Sequence, residues 1–162
     1  RRLPARARGH RFLAGREHGD YRRVLVATDF SPAARHALRT AAGLFADCDL
    51  TLYHAYTAPY GRVTDLPIGR DSMRQLIEDG ECAAFLAGCA LPGELQSRLR
   101  LVLEGKGLEM ALGRYVRDHD IDLVVLGTQG RSGLMNLLLG SSAARLLGWL
   151  PCDTLVVRQP RD

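Results

Sequence analysis

No uninterrupted apolar run of 18 or more residues occurs in the sequence, which excludes a conventional membrane-spanning helix. Its four cysteines, Cys48, Cys82, Cys89 and Cys152, lack the CxxC spacing of zinc sites and redox motifs. There is no secretory signal either, so four reduced, mostly buried thiols are expected rather than disulfides. Aromatic residues are scarce, at 6%. The arginine-rich N-terminal stretch could touch nucleic acid or anionic lipid. Only Phe12 and Tyr21 interleave with its arginines, however, so a solvated extension is the better reading and nucleic acid is not the expected partner. Serine is absent from residues 1–23, unlike in a transit peptide. No Ser–His–Asp set, paired carboxylates or metal-ligand cluster stands out, so no catalytic residue and no metal ligand is assigned.

What is there fits one domain. The 162 residues are 46% hydrophobic and 25% charged, enough to bury a core without cross-links. The net charge of +4 is unevenly placed: residues 1–23 carry eight Arg against Glu17 and Asp20, a balance of +6. The remainder holds 14 basic and 16 acidic residues, a balance of −2. Residues 1–20 are therefore expected to be a solvated, disordered basic extension, and residues 21–160 the folded domain.

From Tyr21 onward, short β-rich runs alternate with longer amphipathic stretches, the pattern of βαβ units and a parallel sheet. Val24–Thr28 is continuously apolar, as a strand covered on both faces should be. Ser31 suits an N-cap and Pro32 the first helical position, which predicts a helix over 32–45 with Ala37, Leu38, Ala41, Ala42 and Phe45 inward. Further strands are expected at 50–55, 98–103, 121–126 and 154–157, the third nearer an edge because it alternates polar and apolar residues. Helices are expected at 71–91, 108–119 and 140–150, and a loop at 57–70. The predicted fold is α/β: a single-domain, doubly wound, five-stranded, mainly parallel sheet with helices on both faces. Pattern alone does not give the strand order.

Ligands of such sheets bind beyond the carboxyl ends of the strands, where the order reverses. Two segments at strand ends are chemically unusual: Ala27-Thr28-Asp29, and the stretch from Gly127 through Gly130, Arg131 and Ser132 to Gly140-Ser141-Ser142. Glycines let the backbone approach a ligand, and successive N–H groups in such turns make an anion-binding concavity. Gly140-Ser141-Ser142 opens a helix, whose first unpaired N–H groups favour phosphate. Arg131 adds charge, and Ser141 and Ser142 add hydroxyl donors. The segment is neither a Walker A loop nor G-x-G-x-x-G.

The spacing G-x2-G-x9-G-S (Gly127, Gly130, Gly140, Ser141) resembles the nucleotide-binding motif of the universal stress protein family. Val24–Ser31, Leu52–Ala55, Asp122–Gly127 and Pro151–Val157 are similar to that family's strands, and the likeness covers about residues 21–158. Family members with the full glycine motif bind ATP. The resemblance implies Asp29 on the ribose, main-chain atoms at Ala55 on adenine, Gly127 under the ribose, and Gly130, Gly140 and Ser141 on the phosphates. Ala27, Thr28 and Leu126 complete the expected pocket, with Mg accompanying ATP. Two residues depart from the pattern: Ala27 where many binders have Pro, and Gln129 where they often have His. A homodimer through the last strand is also implied.

Among other polar residues, His36 is expected on the surface, His54 as a hydrogen-bonded core histidine, and His119 at a helix end near its dipole. The leading expectation is a cytoplasmic, ATP-binding regulatory or stress-response module. The alternative is a slow ATPase or other adenine-nucleotide enzyme on the same fold.

Overall fold

The computed structural model describes residues 11–13, 21–56, 74–75, 77–105, 108–127, 148 and 150–158. The strands are β1 Arg11–Leu13, β2 Arg23–Ala27, β3 Asp49–Ala55, β4 Arg100–Glu104, β5 Leu123–Gly127 and β6 Asp153–Val157. The helices are α1 Pro32–Leu44, a π-helical stretch Glu78–Cys82 that leads into α2 Ala83–Cys89, then α3 Gly93–Arg98 and α4 Leu108–Asp118. The strand order is β1-β6-β5-β2-β3-β4. β2 to β6 pair in parallel, and β1 joins the outer side of β6 antiparallel.

β2 takes the interior position because it is apolar on both faces. Val24, Leu25 and Val26 are each fully buried. Val24 and Val26 join a core with Ala37, Leu38, Ala41 and Phe45 of the first helical segment and Phe85 of α2. Leu25 and Ala27 point the other way, to a second core with Leu112, Tyr115 and Val116 of α4. The path from β2 through β3 to β4 moves across the sheet in one direction, with α1 and α2 on one face. The return from β4 to β5 moves in the opposite direction, so its right-handed crossover places α4 on the other face. At the start of α1, Ser31 Oγ accepts from the Ala34 N–H at 3.2 Å and Pro32 opens the helix, as expected.

The helix expected over 71–91 is interrupted. Gly80, a poor helix former, lies in the π-helical stretch. Ala90 closes α2 in the left-handed conformation at φ 49°. The strand expected at 98–103 begins at Arg100, because α3 precedes it. Glu94 in the first turn, Arg98 in the last and the buried Leu95 support that short helix, which the break at Pro92-Gly93 conceals in the sequence. Of the helix expected at 140–150, only Gly148 and Leu150 are described; Gly148 is helical and Leu150 is not. The loop expected at 57–70 lies outside the described residues.

The main addition to the expected architecture is β1. Residues 11–13 fall within the segment expected to be a disordered extension, yet they pair with β6, with Arg11 opposite Val156, Phe12 opposite Leu155 and Leu13 opposite Thr154. An unpaired edge on β6 would expose a row of N–H and C=O groups, and the added strand satisfies them. Deleting residues 1–20 should therefore accelerate hydrogen exchange at the β6 amides facing away from β5, while amides of β2 keep their protection. Hydrogen exchange of the two chains, followed residue by residue, checks this.

Candidate functional site

The order of the sheet reverses between β2 and β5, which run side by side with Val24 opposite Leu123 and Val26 opposite Val125. Their carboxyl ends flank the crevice where ligands of open parallel sheets bind. Ala27, Thr28 and Asp29 follow β2 there, Leu126 and Gly127 end β5, and Ala55 ends β3. Six of the twelve predicted site residues thus share one end of the sheet. The other six, Gly130, Arg131, Ser132, Gly140, Ser141 and Ser142, lie outside the described residues.

Each residue after β2 is held by specific bonds. Thr28 is buried, its N–H donates to the Tyr53 carbonyl at 2.9 Å, and its Oγ1 accepts from the Phe30 N–H at 2.9 Å. Asp29 Oδ1 accepts from the Ser31 N–H at 3.0 Å, a turn that fixes the carboxylate at the strand end. Between them Phe30 adopts φ 61°, a left-handed conformation that is costly for a residue with a side chain. Its ring packs 4.3 Å from His54 and 5.4 Å from Phe85, centroid to centroid, which helps hold it there.

His54 donates from Nδ1 to the Thr28 carbonyl at 2.8 Å, the structural role expected of it. His119 stacks on Tyr115 with ring centroids 3.8 Å apart and contacts the Tyr115 carbonyl through Nδ1 at 3.0 Å. Burial, then the charge of Arg39, lowers the pKa of His36.

Gly127 has a geometric reason to be glycine. A Cβ there would lie 2.6 Å from the carbonyl oxygen of Ala33 and 3.1 Å from the Ala34 nitrogen. The end of β5 thus rests on the backbone of the first turn of α1, which brings Gly127 beside the turn that carries Asp29.

Two polar groups at this end of the sheet escape recognition in the sequence. Tyr53, fully buried, lies opposite Ala27 on β2, and Glu104 lies opposite Ala55 across β3 and β4. The Tyr53 hydroxyl and Glu104 Oε2 are both sealed from solvent and interact with each other, though without the geometry of a well-formed hydrogen bond. Burial, then the Glu104 charge, raises the Tyr53 pKa well above the usual tyrosine range. The available signal is a Tyr within an otherwise aliphatic strand and a Glu ending the neighbouring one.

Among the described residues there is no group of three metal-ligating side chains, and no helix is long and apolar enough to cross a membrane. All four cysteines are free thiols, and burial pushes Cys82 and Cys152 up to about 11, which disfavours their thiolates.

Gly127→Ala should drive a methyl group into the Ala33 backbone, which cannot move without shifting α1. A loss of about 1–3 kcal/mol is expected. Thermal and urea melts of the variant measure it, and an unchanged midpoint would mean that the two backbones are not in close contact.

Known proteins share both the sequence and the fold. Residues 20–158 match the universal stress protein family. A curated relative, universal stress protein A homolog 1 of Coxiella burnetii, is 33% identical over 146 residues, covering 85% of this chain and 96% of its own. A crystal structure of a universal stress protein in complex with cAMP superposes with a TM-score of 0.57 at 21% identity, covering 85% of this chain and 97% of its own. A universal stress protein family protein from Arabidopsis thaliana with AMP bound gives 0.58 at 15% identity, covering 87% of this chain and 94% of its own. With the family matched over most of its length, and with a relative so similar across nearly its whole extent, the chain belongs to the universal stress protein family.

Proposed function

We propose that the chain binds an adenine nucleotide, ATP with Mg, in the crevice beyond β2 and β5, and acts as a cytoplasmic regulatory or stress-response module. The observation that carries this reading is the close approach of Gly127 to the first turn of α1, which follows directly on the turn that holds Asp29, where the strand order reverses. Two structures of the same fold are described with cAMP and with AMP, which supports an adenine nucleotide as the ligand class. Asp29 takes the ribose, Ala27, Thr28, Ala55 and Leu126 surround the base, and Gly127 lies under the sugar. Gly130, Arg131, Ser132, Gly140, Ser141 and Ser142 receive the phosphates, with Mg carried on the phosphate oxygens.

Titration calorimetry with Mg·ATP and AMP tests the reading. Gly130→Val and Gly140→Asp should each abolish ATP binding while leaving the melting curve unchanged. Retained affinity in both variants, or no heat with the unaltered protein, overturns it. Single-turnover measurement with labelled ATP decides whether the bound nucleotide is also hydrolysed.

The assembly we propose is a homodimer through β6. Pairing with a second β6 uses the same edge groups that β1 occupies, so the two arrangements exclude each other. Sedimentation should accordingly show a larger dimer fraction for the chain lacking residues 1–20 than for the full chain. Equal fractions would separate the dimer, if one forms, from this edge.

A further inference from the structure

We infer that Glu104 is a specificity-determining residue that reads the 6-amino group of the purine, with Tyr53 as its positioning residue. This rests on the adenine-nucleotide reading above and deepens it.

The placement follows from register. Ala55, expected to meet the base, lies directly opposite Glu104 on β4, and the Tyr56 N–H donates to the Glu104 carbonyl at 2.9 Å, tying the two strand ends together. Tyr53 lies opposite Ala27 and shares one core with Ala27 and Leu126, two other residues expected around the base. Successive side chains of a strand alternate in direction, so Tyr53 and Ala55 share a face, as do Val102 and Glu104 beside them. Leu126, Ala27 and Tyr53 thus form an apolar floor at the carboxyl end of the sheet, with Ala55 and Glu104 one step further out.

The Tyr53 hydroxyl and Glu104 Oε2 are unusual in having, away from water, only an imperfect contact with each other. Native proteins pair nearly all buried polar atoms, and an unmet one costs about 1–3 kcal/mol. Here two such atoms share one neighbourhood, a carboxylate oxygen and a hydroxyl that interact without a well-formed hydrogen bond. A carboxylate only accepts hydrogen bonds. It therefore suits the 6-amino group of adenine, a donor, and repels the 6-oxo group of hypoxanthine or guanine, an acceptor. The Tyr53 hydroxyl, buried beneath and beside it, limits where the carboxylate can settle.

The test compares ATP with ITP, which differ at the base only in the amino-to-oxo change at position 6. The unaltered protein should bind ATP about tenfold or more tightly than ITP. In Glu104→Gln that ratio should fall towards one, because an amide either accepts from an amino group or donates to an oxo group. Tyr53→Phe should lower the ratio in part, since the hydroxyl it removes interacts with the Glu104 carboxylate. Equal binding of ATP and ITP by the unaltered protein overturns the inference alone. So does an unchanged ratio in Glu104→Gln, or a Tyr53→Phe protein that keeps its ratio. Failure to bind either nucleotide overturns the adenine-nucleotide reading and this inference with it.

Discussion

The close approach of Gly127 to the first turn of α1 is the contact on which the functional end of the molecule depends. Two backbones, rather than two side chains, meet there, and a Cβ would have to occupy space 2.6 Å from the Ala33 oxygen. The spacing sets how α1 leaves β2, and hence where the turn at Asp29 lies relative to β5. Ser31 reinforces it by capping α1 while its own N–H holds the Asp29 carboxylate. The same few residues therefore end a strand, begin a helix and define one wall of the crevice. A glycine at position 127 is thus required by the fold whether or not a ligand also touches it.

Much of the architecture was visible in the sequence because apolar runs in buried parallel strands tolerate little polarity on either face. Val24–Ala27 and Leu123–Leu126 are examples, and the inward face predicted for the first helix is the buried one. The helical segments after β3 were less visible. Gly80 and the π-helical stretch disturb the 3.6-residue period, and α3 is too short for a period to develop. β1 was hidden for a different reason. Three residues in an arginine-rich stretch carry no pattern of their own, and their pairing is decided by the edge that β6 offers. Asp29 and Gly127 were legible as site candidates because strand-end chemistry is local. Glu104 and Tyr53 were not, because their significance depends on burial and cross-strand neighbours that only the folded sheet supplies.

The end of the sheet carrying these residues departs from the local consistency seen elsewhere. Phe30 holds a left-handed conformation at φ 61° immediately after Asp29. Tyr53 and Glu104 hold polar atoms away from water with only an imperfect contact between them. At the opposite end, Asp122 Oδ2 accepts from the Arg22 and Arg23 N–H groups at 3.0 and 2.9 Å, and Asp153 Oδ2 accepts from the Tyr21 hydroxyl at 2.8 Å. Bonded polar groups at the amino ends, with an imperfectly bonded pair at the carboxyl ends, distinguish the two ends of the sheet, although left-handed residues also occur away from the carboxyl ends, at Ala90 and Asp120. Local departures of this kind concentrate where a fold is shaped for something other than its own stability.

The direction of β1 has a geometric corollary. Running antiparallel to β6, with Arg11 opposite Val156 and Leu13 opposite Thr154, it sets Arg11 on the side where the five parallel strands end and Leu13 on the side where β2 begins at Arg23. Reversing this one short strand would exchange those two positions and carry its last residue to the side away from Arg23.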